Sequence, residues 1–176
     1  MGENIKVIKL QSYLDKCFIS GILCDYHYQF YYKLSMGVML PTVIGSAILT
    51  VLNTSDIPTD VMKYINIIVN GSNTLIMALT NNYKLQDRLT TYKNLYGKYQ
   101  SLSHRIESCI NNSNEITDKV LDDFINEYDV LQNDNSFGYL SGYKTKIIKA
   151  YGKTKSLPNS LALEQDMIKA DVINIV

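Results

Sequence analysis

The chain has 176 residues, and its 17 basic and 17 acidic side chains cancel, so it carries no formal net charge and no nucleic-acid partner is expected. Its three cysteines lack metal-ligand spacing, and the motifs of metalloproteases, phosphate-binding loops, dinucleotide sites and nucleophile elbows do not occur. We therefore expect no catalytic residue, no metal and no cofactor, which leaves membrane, structural and binding roles.

Residues 10–33 have the periodicity of a helix. One face carries, at alternating spacings of three and four, Leu14, Cys17, Gly21, Cys24, Tyr28 and Tyr31. Tyrosines cluster over residues 26–32, where they suit a membrane–water interface because the ring is apolar and the hydroxyl stays wet. A soluble helix could equally bury them as core tyrosines.

The next stretch, residues 34–52, holds nineteen residues without a formal charge. As a helix it would be roughly 28 Å long, close to the thickness of the hydrocarbon core of a bilayer. Pro41 lies inside it, and membrane helices tolerate an internal proline better than soluble helices do. A turn rich in Asn, Ser, Asp and Pro follows over residues 53–63. The pattern predicts a first membrane span over residues 34–52.

A second uncharged run, residues 64–83, predicts a second span and so a two-helix transmembrane hairpin. Asn66, Asn70 and Asn73 fall on one of its faces. Asparagine in hydrocarbon must face a partner helix or water, since an unpaired amide there costs several kcal/mol. The stripe could line a pore, or it could pair with the polar row Thr42, Ser46 and Thr50 of the first span.

Residues 84–110 predict a long helix with a coiled-coil-like seam, whose members step by four and three. The seam consists of Leu85, Leu89, Tyr92, Tyr96, Tyr99, Ser103, Ile106 and Ile110. If the hairpin closes antiparallel, this seam meets the one before Lys33. The two helices would then extend the membrane pair as an antiparallel cytosolic stalk.

The remaining residues, 111–176, predict a tail of short helices. A linker over 111–115 leads to an amphipathic helix over 116–132, a loop over 133–142 and a terminal helix from residue 160 with an apolar stripe of Leu163, Met167, Ile168 and Val172. Before the terminal helix there is a basic patch without an acidic residue: Lys144, Lys146, Lys149, Lys153 and Lys155. The patch suits anionic lipid heads or an acidic protein surface, or it is a solvated basic face.

The predicted organisation is thus an all-α protein with a helical hairpin over residues 1–110 and a helical, basic tail over 111–176. Basic residues set its orientation. The turn carries only Lys63, whereas the outer flanks of the spans carry Lys16, Lys33, Lys84 and Arg88 among others. By the positive-inside rule both termini face the cytosol.

The layout resembles the SLATT family of two-transmembrane proteins. The resemblance rests on a tyrosine-rich helix (HYQFYYKLS), an apolar run with an internal proline and small residues (MLPTVIGSAILTVLN), a short turn, a second apolar helix and a long further helix, over about residues 10–110. SLATT proteins are associated with nucleotide-signalling defence systems, and similar hairpins occur in large DNA viruses. The resemblance implies a cytosol-facing stalk and, as in the bacterial members, a membrane-perturbing effector role.

Three functions remain open from the sequence. The first is a non-enzymatic membrane anchor or scaffold that ties a membrane, such as that of a virion, to a protein layer through its stalk and tail. The second is an oligomeric pore lined by the asparagines. The third is a soluble helical bundle that binds a protein partner, which the mean hydropathy of −0.07 leaves open. Partners expected from these readings are the bilayer, a second copy of the chain or another protein.

Overall fold

The computed structural model of the chain describes residues 2–55, 57–112 and 116–173, with side chains described for 4–55, 57–112 and 116–166. These residues form six α-helices and no strand, which confirms the predicted all-α class. In chain order the helices are α1 (Gly2–Asn53), α2 (Thr59–Asn82), α3 (Leu85–Asn111), α4 (Asp118–Asn133), α5 (Ser141–Tyr151) and α6 (Asn159–Ile173).

Helix α1 merges the predicted helix of residues 10–33 with the first predicted span and runs for 52 residues. It continues through Pro41, although proline has no N–H to donate to the helical ladder. The hydroxyl of the next residue, Thr42, donates to the carbonyl of Val38 at 3.1 Å. The predicted turn is shorter than expected, because α1 ends at Asn53 and α2 begins at Thr59. Asp56, within that turn, lies outside the described residues.

The junction between α2 and α3 is a sharp break at Lys84, whose φ of 48° lies in the left-handed region. The N–H of Tyr83 donates to Leu79 O at 3.0 Å, and the N–H of Lys84 donates to Asn81 O at 3.1 Å. These bonds close the last turn of α2. The helix predicted over residues 84–110 therefore begins one residue later, at Leu85.

The chain divides into two compact units. One, which we call the hairpin, is Tyr28–Thr90 and contains the second half of α1, all of α2 and the start of α3. The other, which we call the helical unit, combines Met1–His27 with Thr91–Val176. This differs from the predicted division at residue 110. The reason is that the tail has buried apolar side chains of its own, and these pack against α1 and α3 rather than forming a separate core.

The core of the helical unit joins α1 to α5, α6 and the segment between them. Its buried members are Ile19, Leu23, Ile147, Ile148, Leu157 and Leu161. Helix α4 adds Leu121, Tyr128 and Leu131, and it starts at the N-cap Thr117, whose hydroxyl accepts the Val120 N–H at 3.3 Å. The predicted helix over 116–132 corresponds to α4, and the terminal helix corresponds to α6. Met167, Ile168 and Val172 lie beyond the residues whose side chains are described, as do parts of the predicted linker.

Candidate functional site: the hairpin surface and its polar contacts

The facing sides of α1 and α2 bury few side chains within the hairpin. Tyr31, Ser35 and Leu49 of α1 and Met62 of α2 are each at most 9% exposed. Gly45 lies opposite Val69, where an added Cβ would be 3.8 Å from a methyl group of that valine. A methyl group at residue 45 would thus make ordinary van der Waals contact with Val69, so the two helices lie close together there.

Two polar bonds join the helices. Asn73 Nδ2 donates to Ser46 Oγ at 3.1 Å, and Asn66 Nδ2 donates to Asn53 Oδ1 at 3.4 Å. The hydroxyls of Ser46 and Thr50 donate to carbonyls four residues back, each at 2.9 Å.

The predicted polar residues of the two spans therefore fall into three groups by their hydrogen bonds. Asn66 and Asn73 cross to α1. The hydroxyls of Thr42, Ser46 and Thr50 bond to the carbonyls of their own helix. Asn70 is exposed, and among the described residues its carboxamide has no hydrogen-bond partner.

The rest of the hairpin surface is apolar and exposed. On α1 this surface is formed by Leu34, Met36, Met39, Leu40, Val43, Ile44, Ile48 and Val51. On α2 it is formed by Val61, Tyr64, Ile67, Ile68, Leu75, Met77 and Leu79. An exposed patch of this extent is foreign to the surface of a soluble monomer and marks an interaction with a membrane or with protein.

Among the described residues, one helix is long and apolar enough to cross a membrane, the stretch Asn4–Asn53 of α1. Only 6% of its most apolar 18-residue window is buried. The core helix of a soluble protein would have most of that window buried. The second predicted span, residues 64–83, does not reach the same apolarity, because its asparagines offset its isoleucines and leucines.

One end of the hairpin is held by Arg88. Its Nη1 donates to the Tyr31 hydroxyl at 3.1 Å, its Nε donates to the Tyr83 carbonyl at 3.1 Å, and its guanidinium lies 5.6 Å from the centre of the Tyr31 ring. Cation–aromatic contacts of this kind stabilise by about 0.5–1 kcal/mol at exposed sites. The arrangement places tyrosines and a basic residue where the sequence predicts a membrane–water interface.

The predicted stalk seam on α3 is partly buried. Leu85, Tyr92, Tyr99 and Ile106 are buried, whereas Leu89 and Tyr96 keep part of their surface exposed. The structure also buries three residues that the seam omitted: Leu95, Leu102 and Cys109. These follow Tyr92, Tyr99 and Ile106 at a spacing of three. The same 3/4 periodicity read from Tyr92 through Leu95 would have found them.

The basic patch is mostly engaged within the helical unit. Lys144 pairs with Glu164 at 3.2 Å, Lys155 pairs with Asp15 at 2.7 Å, and Lys146 lies 4.5 Å from the centre of the Tyr26 ring. Lys149 and Lys153 are exposed. The five lysines therefore do not form one free basic surface, and two of them remain available to an anionic partner.

A buried polar network holds the helical unit together and was not predicted from the sequence. Gln132 Nε2 lies within hydrogen-bond distance of Ser20 Oγ at 3.0 Å, Tyr99 OH at 3.1 Å and Tyr128 OH at 2.9 Å. This amide links α4 to α1 and α3. Ser20 has no exposed surface, so its hydroxyl needs partners within the protein, and Gln132 is one of them.

His27 is the second buried polar anchor of the helical unit and also has no exposed surface. Its Nδ1 is 2.6 Å from Leu23 O, and its Nε2 accepts the Leu140 N–H at 2.7 Å. The ring therefore carries its proton on Nδ1 and is neutral. Burial lowers the pKa of His27 below its usual value, and the bond to the Leu23 carbonyl partly opposes that shift.

A groove of about 440 Å³ in the helical unit is the other concave surface of note. Its apolar lining comes from Leu14, Phe18, Ile22 and Tyr96, and its polar rim includes Glu107. In the part of the chain that the structure describes, no three His, Cys, Asp or Glu side chains come together in a way that could hold a metal ion.

Comparison of the chain with protein-family models, with curated proteins and with solved structures finds no significant match. The functional argument therefore rests on the geometry of the hairpin and of the helical unit.

Proposed function

We propose that the protein is a non-enzymatic membrane anchor, in which the hairpin lies in the bilayer and the helical unit is held at the membrane surface. The observation that carries this proposal is the exposed apolar surface of α1 and α2. Burial of an exposed leucine or isoleucine is favourable by about 1.5–3 kcal/mol per side chain. A bilayer covers all of these side chains at once without requiring a protein partner on every side.

The two chain segments that make up the helical unit support two membrane spans rather than one. Residues before His27 and residues after Thr91 belong to the same compact unit, so both must lie on the same side of a membrane. A chain that crosses the bilayer once through α1 would separate them. Helix α2 must therefore return the chain. Its asparagines are made tolerable where they bond to α1, as Asn66 and Asn73 do.

The orientation follows from the basic residues. Lys33, Lys84 and Arg88 lie at the end of the hairpin that joins the helical unit in sequence, whereas the turn carries Lys63 and Asp60. The positive-inside rule places the helical unit and both termini in the cytosol. The resemblance to SLATT proteins supports the same orientation.

The helical unit would supply the attachment to a protein layer, such as the one beneath a virion membrane. Its groove beside Phe18 and Tyr96 offers an apolar surface with a charged rim, and the exposed Lys149 and Lys153 can meet anionic headgroups or an acidic protein.

Carbonate extraction of membranes that contain the full chain tests the proposal. We expect the protein to stay in the pellet and to dissolve only in detergent. Two variants sharpen the test, because Ile44 and Val130 are similarly exposed apolar residues, at 49% and 57%. Lysine near the middle of a span costs about 2.5–3.5 kcal/mol, so Ile44→Lys should reduce membrane retention while Val130→Lys should not. Release of the unaltered protein, or equal behaviour of the two variants, would refute the anchor.

A second candidate, an oligomeric pore, is favoured by one observation, the exposed carboxamide of Asn70. Conductance in liposomes tests it, because Asn70→Leu would replace a polar wall of the path with an apolar one. A pore requires a conductance that changes in this variant. An anchor without a pore gives no conductance in either protein.

A further inference from the structure

The carboxamide of Asn70 has no partner among the described residues, although Asn70 lies only about 40–60° around α2 from Asn66 and Asn73. Asn66 and Asn73, on the side toward α1, each donate to that helix. Asn70 is exposed, and its main-chain carbonyl accepts the Thr74 hydroxyl at 2.8 Å while its side chain bonds to no described residue. At about 100° per residue, Thr74 and the exposed apolar residues Ile67 and Met77 lie within about 60° of Asn70, so its carboxamide is an unpaired polar group on a largely apolar face.

Small residues lie at one edge of this face. Gly71 and Ala78 are exposed about 80–100° around the helix from Asn70, and a Cβ added at Gly71 would meet no atom within 4 Å. Leu75, Leu79 and Ile68 lie roughly 140–180° around the helix from Asn70. Lipid suits these side chains, whereas the carboxamide of Asn70 needs a polar partner.

An unpaired amide in hydrocarbon costs several kcal/mol, because no water is present to replace the missing bonds. Residues 64–83 carry no charge, so no charged partner is required. A carboxamide both donates and accepts, and its matching partner is another carboxamide. Two copies related by a twofold axis normal to the membrane would bring the same face of each chain together and let the amides pair reciprocally.

We propose that the Asn70 face of α2 binds the same face of a second copy of this chain within the bilayer. This inference rests on the proposed membrane insertion and names the partner of the hairpin. The contact uses Asn70 for paired hydrogen bonds, with Ile67 and Met77 packing around them and the small residue Ala78 at its edge.

Energy transfer between donor- and acceptor-labelled copies in liposomes tests the proposal, with the labels at Lys119→Cys in the helical unit. The protein is first shown to resist carbonate extraction. We expect energy transfer for the unaltered hairpin and about tenfold weaker association for Asn70→Leu, which corresponds to about 1.4 kcal/mol. Asn70→Gln, which keeps an amide, should retain association. Ser72→Leu is the matched control, because Ser72 is exposed about 160° away from Asn70, and it should leave association unchanged.

Several outcomes would overturn the inference. They are a carbonate-resistant protein without energy transfer, or Asn70→Leu and Ser72→Leu behaving alike. Energy transfer in native membranes that is lost in liposomes of the purified protein would identify a different protein as the partner. If Asn70→Cys reacted with a water-soluble maleimide as fast as Ser55→Cys in the turn, water would cover this face instead. Release of the unaltered protein by carbonate would instead overturn the membrane anchor itself, so the two failures are distinguishable.

Discussion

Lowering the pH is the sharpest test of how the buried side chain of His27 contributes to stability. The chain has two histidines, so any histidine-linked change in stability belongs to His27 or His104. His27 accepts the Leu140 N–H through Nε2, and protonation of that nitrogen would direct one hydrogen at another. Its ring packs against Tyr92, Tyr139 and Tyr143, with centroids 4.9–5.4 Å apart, and it has no exposed surface through which a charge could be solvated.

The sign and size of the effect follow from linkage. Because the folded pKa lies below the unfolded value of about 6.5, the unfolded chain binds the proton first. The contribution of His27 to stability is therefore complete above pH 6.5 and is lost as the pH falls toward the folded pKa. At pH 5.5 the loss approaches an upper limit of about 1.4 kcal/mol. The difference between the unaltered protein and His27→Phe from pH 7.5 to 5.5 therefore isolates the contribution of His27.

Thermal unfolding in detergent, followed by near-ultraviolet circular dichroism of the tyrosines, measures this loss. His27→Phe should be less stable by about 1–3 kcal/mol at pH 7.5, because the Leu140 N–H loses its acceptor, and should lose the pH dependence. His104→Gln is the matched control, since the side chain of His104 is 78% exposed, and it should keep the pH dependence. A flat profile for the unaltered protein, or a pH dependence that survives in His27→Phe, would refute the reasoning.

Three further predictions concern the amide network, the helix break and the thiols. Gln132→Leu should lower the free energy of unfolding by about 1–3 kcal/mol, because it removes the amide that three buried hydroxyls share. Gln100→Leu at an exposed site should change the free energy of unfolding little. Denaturant titration measures both, and equal effects would contradict the network. Lys84→Gly should raise the melting temperature, because it relieves a positive φ that costs about 1–2 kcal/mol. The control Lys93→Gly, inside α3, should lower the melting temperature. A change of the same sign in both variants would be inconsistent with strain at Lys84. All three cysteines are buried, and burial raises the pKa of Cys17 to about 12. A maleimide should therefore label the thiols only as fast as the protein opens. Rapid labelling of the folded protein at pH 7.5 would disprove their burial.

Local periodicity was sufficient to predict most of the helices, but α5 was missed, because the residues after the predicted loop of 133–142 were interpreted only as a basic patch. The predicted helix over 116–132 became α4, and the polar residues of 53–63 mark the short turn between α1 and α2, because caps and turn residues act over a few positions. The break at Lys84 was missed because lysine carries no signal for a left-handed φ. The predicted seam on α3 included Leu89 and Tyr96, which are only partly buried, and omitted Leu95. Both sets of residues satisfy a 3/4 pattern, so spacing alone did not separate them. Burial of Leu95 and Leu102 is decided by what packs against α3.

The contacts between distant segments could not be predicted from local patterns. His27 bonds to Leu140, and Gln132 reaches Ser20, across more than a hundred residues. From the sequence alone Lys155 belongs to a basic patch, whereas in the structure it pairs with Asp15. The turn residues predict that the chain returns, but no short motif encodes which side chains then meet.

The most direct test of the membrane hairpin is side-specific labelling of two single-cysteine additions, Ser55→Cys in the turn and Lys119→Cys in α4. Both positions are exposed, and the native cysteines are buried. In intact cells a membrane-impermeant maleimide should label Ser55→Cys, while Lys119→Cys should be labelled only after the membrane is permeabilised. Labelling of both residues from the same side would contradict a hairpin that crosses the bilayer.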